Sequence, residues 1–91
     1  MTKVRNITNL ESTFIKVLVE SADFEYKFIP STYIKVGDAI KKNQLNAIIN
    51  NLKSIGMLTT IDDLFDGRLI ALSHRGKHAF RKILRDEANH I

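Results

Sequence analysis

No cysteine occurs in the 91 residues, which excludes disulfides and thiolate-bound metal and fits a reducing compartment such as the cytoplasm. Apolar runs are short. None approaches the ~20 residues that a membrane-spanning helix needs, and no apolar stretch of signal-peptide length follows Met1. One proline and four glycines leave no room for a linker or a low-complexity stretch, so residues 1–91 are expected to form one domain and, with Met1 at the start, a whole protein.

Catalytic groupings are equally scarce. His74 and His78 stand at i, i+4, but neither a glutamate between them nor a third ligand nearby completes a metal motif. Asp62, Asp63 and Asp66 lack the twelve-residue calcium pattern with its closing glutamate. Ser73 has no histidine–acid partners and no glycine-flanked elbow, and no glycine-rich phosphate loop occurs. These absences set the expectation of a non-enzyme with no metal and no cofactor.

The charge that is present is unevenly spread. The net charge is +4; residues 1–60 carry eight bases against five acids, residues 61–72 three acids against Arg68, and residues 73–91 five bases against two acids. Two basic segments therefore flank an acidic loop, a balance compatible with a polyanionic partner.

Thr8 followed by Glu11 is a capping box, so a helix is expected to start there and run for about 13 residues, with Leu10, Phe14, Val17, Leu18 and Ala22 on its apolar face. Phe24, Tyr26 and Phe28 alternate with charges and suggest a short strand or extended segment stopped by Pro30. Residues 31–42 allow two readings. Ser31 caps a short helix through Ile40, or Tyr33–Val36 is extended and a helix begins after Asp38; in the first, Ile34 and Ile40 point inward and Gly37 weakens the helix by ~1 kcal/mol. From Asn43 onward Leu45, Ile48, Ile49, Leu52 and Ile55 form a continuous helical stripe ended by Gly56. Met57–Ile61 and Leu69–Leu72 are strand-forming and bracket a polar turn whose Asp66-Gly67 step suits a hairpin. Ser73 then caps a last helix that places Phe80, Ile83, Leu84, Ala88 and Ile91 on one face.

The run Leu45-x-x-Ile48-Ile49-x-x-Leu52-x-x-x-Gly56-Met57-Leu58, followed by Arg68 and Leu72-Ser73-x-x-Gly76, resembles winged helix-turn-helix transcription regulators of the multiple-antibiotic-resistance-regulator type. The match covers about a third of the chain and rests mostly on structural positions. It implies an α+β, mainly α fold: a three-helix core, a two-stranded hairpin wing and a C-terminal helix. It also implies that the helix 43–55 enters the major groove of double-stranded DNA. Asn43, Gln44, Asn46, Ala47 and Asn50 then become base-reading candidates, because side-chain amides match the N6 and N7 of adenine. Lys41, Lys42, Lys53 and Arg68 become phosphate candidates. On the last helix Lys77, Arg81 and Arg85 recur at i, i+4, i+8 with Lys82 nearby; such a row is either the charge of a solvated face or a track that meets phosphates or a partner.

A domain this small offers few phosphate contacts, so a homodimer is expected, joined through the first and last helices. The alternative is a protein-interaction module that docks through the acidic hairpin 62–68. Its apolar tip residues, Leu64 and Phe65, are expected to pack back onto the domain; an exposed apolar tip between acids would instead suit a protein contact.

Overall fold

The computed structural model describes residues 7–37, 40–65 and 67–88. Its elements are α1 (Asn9–Ser21), β1 (Ile29–Pro30), a 3₁₀ turn (Ser31–Tyr33), α2 (Lys42–Ser54), β2 (Leu58–Asp63), β3 (Gly67–Leu72) and α3 (His74–Ala88). The fold is thus α+β and mostly helical, with three α-helices among the described residues rather than the four expected. None of these helices is long and apolar enough to cross a membrane.

Helix α1 begins as its capping box dictates. Thr8 N donates to Glu11 Oε1 at 2.9 Å and Glu11 N donates to Thr8 Oγ1 at 3.1 Å, so two amides that the first turn leaves unpaired are satisfied reciprocally. The buried face comprises Phe14, Ile15, Leu18 and Val19, with Ala22 just beyond the helix end. That face is turned toward Ile15 and Val19 relative to the stripe expected from sequence: Leu10 is exposed and Val17 half-buried. Glu11 accounts for the turn, since its capping carboxylate is itself buried and brings its flank of the helix inward.

The expected strand over Phe24–Phe28 does not form. Asp23, Phe24 and Tyr26 all have positive φ, with Phe24 N closing back on Val19 O at 2.9 Å and Glu25 N on Ala22 O at 3.1 Å. Left-handed backbone at non-glycine residues costs of order 1 kcal/mol each and is kept only where the surroundings impose it. Here Tyr26 sets its ring edge-on to Phe80 of α3, centroids 6.4 Å apart, beneath the ammonium of Lys77. The alternation of aromatics therefore reflects an anchoring contact rather than a pleat, and the strand is confined to Ile29–Pro30.

The helix proposed over Ser31–Ile40 is also absent among the described residues. After the 3₁₀ turn Ile34 is extended, Lys35 N donates to Ser21 Oγ at 3.2 Å, and Gly37 has φ +60°. The amides that would start a helical ladder are thus spent on α1 and on a local turn. Tyr33–Val36 follows the extended alternative in part; the helix start placed after Asp38 falls partly outside the described residues, and α2 opens at Lys42. Ile34 and Ile40 do point inward, and both are buried.

β3 is the central strand of an antiparallel sheet ordered β1-β3-β2. Ile70 faces Ile29 on one side and Thr60 on the other, and Leu72 faces Leu58. Because cross-strand partners share a face, Ile29, Leu58, Ile70 and Leu72 form an inward apolar layer. Phe14, Ile15, Leu18, Ile49, Leu52 and Phe80 close over it from the helices. Burying each of these large side chains contributes roughly 1.5–3 kcal/mol, which makes this single cluster the source of most of the fold's stability.

Helix α3 begins at His74, with Ser73 capping as its sequence context predicts: Gly76 N donates to Ser73 Oγ at 3.1 Å. Phe80 is buried and Ile83 half-buried, whereas Leu84 and Ala88 are exposed; Ile91 lies outside the described residues. The apolar face of α3 is thus used only along one edge. Lys16 of α1 pairs with Glu87, tying the two helices together near the end of α3.

Candidate nucleic-acid interface

The geometry of the candidate interface follows from how α2 is fixed at both ends. At its start Lys41 is extended, its carbonyl accepts from Leu45 N at 3.0 Å, and its own amide donates to Gln44 Oε1 at 3.2 Å. Gln44, a base-reading candidate, therefore spends its acceptor on the helix terminus and keeps only its amide donors free.

At its end Gly56 adopts φ +81°, Met57 N donates to Leu52 O at 2.9 Å and Gly56 N to Lys53 O at 3.0 Å. These are the two bonds of a Schellman motif, which satisfies the last carbonyls and turns the chain into β2. Two α3-side groups reinforce the joint: Ser73 Oγ donates to Gly56 O, and Arg75 Nη1 donates to Ile55 O at 2.9 Å.

Between these ends Ile48, Ile49 and Leu52 are buried and hold the helix on the core. Asn43, Gln44, Asn46, Ala47, Asn50, Lys41, Lys42 and Lys53 are all exposed. Asn43, Asn46, Ala47 and Asn50 recur at i, i+3, i+4 and i+7, which puts them on one helical face. Lys42 and Lys53 stand at the two ends of that face, separated by ~16 Å of helix axis. No acid occurs on α2, so every formal charge it carries is positive.

Gln44 lies at the edge of that face nearest α1. Together with Asn43, Ala47, Ile48 and Asn51 it lines a shallow groove whose opposite wall is Thr8, Leu10 and Glu11 at the start of α1. The exposure of Leu10 follows from its place in that wall. This groove was not legible in sequence, because the approach of α1 to the polar flank of α2 is a tertiary contact.

Arg68 is set apart from these residues, on the hairpin. It faces Asp62 across the β2–β3 ladder, with Nε 3.9 Å from Asp62 Oδ1. Both groups are solvent-exposed, so the pair is worth little and leaves the guanidinium available to a stronger anion. Asp63 Oδ1 accepts from Phe65 N at 2.7 Å, folding the hairpin tip as an Asx turn. Two of the three wing acids thus have local work in the hairpin; Asp66 lies outside the described residues.

The tip itself departs from expectation. Leu64 and Phe65 do not pack back onto the domain: they are 99% and 95% exposed.

Of the bases on α3, Lys77 covers the Tyr26 ring at 5.2 Å and Arg75 is committed to Ile55 O, while Arg81 and Arg85 are exposed. Comparison with family models, with curated proteins and with solved structures finds no match for this chain.

Proposed function

We propose that this protein binds double-stranded DNA as a winged-helix transcription regulator, inserting α2 into the major groove and performing no catalysis. The observation that carries the reading is the outward face of α2, where Asn43, Asn46 and Asn50 are exposed and flanked by Lys42 and Lys53 with no acid on the helix. Amides that are exposed on a rigid, doubly capped helix are pre-positioned to form bidentate contacts with adenine edges, each worth ~1–3 kcal/mol of discrimination. The lysines at the two ends are spaced to meet phosphates on either side.

The order of elements supports the same fold reading in part: α1 and β1 precede α2, and a two-stranded hairpin and α3 follow it, while the 3₁₀ turn Ser31–Tyr33 and extended chain stand where a helix-turn-helix has its first helix. Arg68 on the hairpin is the wing residue suited to a phosphate. Leu84 remains exposed on α3, which supports that helix as part of the surface joining two copies, and a homodimer would require a palindromic site. The proposed place of action is the cytoplasm.

Fluorescence anisotropy against pools of duplex DNA tests the proposal. Binding should fall steeply between low and moderate salt, and Asn46→Ala should flatten sequence preference while Lys53→Ala weakens all duplexes alike. Absence of binding to any duplex at low salt would overturn it.

A second reading has one specific observation in its favour. The exposed Leu64–Phe65 tip suits insertion into a protein partner, and in that case Leu64→Ser with Phe65→Ser abolishes partner binding while Asn46→Ala does nothing.

A further inference from the structure

The first turn of α3 carries two imidazoles that no part of the DNA reading uses. His74 and His78 are exposed, their ring centroids lie 4.8 Å apart at an interplanar angle of 85°, and their Nε2 atoms share a hydrogen bond of 3.3 Å, so a cation bound by both would take the place of the shared proton. Helical i, i+4 spacing brings the two side chains together, with the Nε2 atoms as the facing nitrogens.

That separation has a chemical meaning. Two nitrogens bound at ~2.0–2.1 Å to one zinc ion at the tetrahedral angle stand ~3.3–3.4 Å apart, whereas adjacent corners of a square-planar site with similar bonds stand ~2.8–2.9 Å apart. We propose that His74 and His78 form a two-histidine site for a tetrahedral divalent cation of the zinc type, bound through Nε2 of each.

No third His, Cys, Asp or Glu gathers with them among the described residues, so water completes the coordination. The missing third ligand weighs against a closed structural zinc centre. It does not weigh against an open, exchangeable site in which the protein supplies a preformed bite.

The surroundings sharpen the test. The site lies on the opening turn of a helix, where the backbone dipole disfavours a cation, and Arg75 and Lys77 are its sequence neighbours. A single imidazole there has this opposition and no chelate to overcome it, so loss of either histidine should abolish binding rather than weaken it slightly.

Occupation would also cross-link residues 74 and 78 within the turn that holds the end of α2 through Ser73 and Arg75. The site therefore couples a metal to the anchorage of the candidate reading helix, whatever that helix binds.

Calorimetric titration of the untagged full chain with Zn²⁺, together with thermal unfolding, tests the proposal. The wild type should bind one ion per chain. Its folded-to-unfolded ratio should rise by a factor of 1 + [Zn²⁺]/Kd, about a hundredfold at one hundred times Kd. His74→Ala and His78→Ala, each checked for unchanged circular dichroism, should lose both responses, and His90→Ala should retain them. No zinc response in the wild type, or an undiminished response in His74→Ala and His78→Ala, would overturn the proposal.

Discussion

Arg75 of α3 donates through Nη1 to the carbonyl of Ile55 at 2.9 Å, so the helix that closes the chain supplies a charged cap to the end of α2. The guanidinium lies across Gly56, where an added β-carbon would come 3.4 Å from Nη1. A cation at a helix C-terminus is favoured both by the dipole and by the unpaired carbonyls it meets.

Arg75→Met keeps much of the apolar stem and removes the donors. It should cost about 1 kcal/mol, visible as a fall of ~4–8 °C in the thermal midpoint of a domain this size. An unchanged midpoint would show that the contact adds nothing to stability.

Gly76→Ala reverses the usual helix rule. Alanine in a helix is ordinarily favoured over glycine by ~1 kcal/mol, but here its β-carbon would stand 2.2 Å from Met57 O and 2.8 Å from Leu72 Cδ2. The backbone carbonyl cannot yield cheaply, since it also accepts from Ser73 N at 3.0 Å. Overpacking should win, for a net loss of ~1–3 kcal/mol in urea unfolding. Stabilisation by Gly76→Ala would contradict this packing.

Thr8→Ala removes the hydroxyl that accepts from Glu11 N and should cost ~1 kcal/mol, while Thr8→Ser should cost far less. Equal losses for the two variants would assign the effect to the methyl group instead of the cap.

Leu64→Ser and Phe65→Ser should leave stability within about 0.5 kcal/mol, because both side chains are almost fully exposed. A large loss in chemical denaturation would mean that the tip packs onto the domain after all.

The parts of this fold that were legible in sequence are those whose signals are local. Thr8 with Glu11 marks the start of α1, the Ile48–Ile49–Leu52 stripe marks the buried face of α2, Gly56 its end, and Ser73 the start of α3. The strand expected over Phe24–Phe28 and the helix allowed over Ser31–Ile40 do not form because the conformation there is set from outside. Tyr26 answers to Phe80 and Lys77 of α3, and Lys35 N answers to Ser21 of α1. Neither dependency leaves a periodic trace.

The candidate interface divides in the same way. Exposure of Asn43, Asn46 and Asn50 follows from helical phase, whereas the diversion of Gln44 into the start of α2 and the groove against α1 depend on tertiary geometry.

The sheet order β1-β3-β2 leaves the outer edges of β1 and β2 without neighbours among the described residues. Pro30 closes one of them, since it has no N–H to offer a further strand and β1 is only two residues long. On the other, Asp62 and Asp63 end β2 with like charges that a second copy of the same strand would have to approach. These aspartates, whose charge repels a phosphate backbone, thus also act as gatekeepers against strand-to-strand aggregation. Replacing them to improve nucleic-acid affinity would expose a β-rich edge beside Leu64 and Phe65.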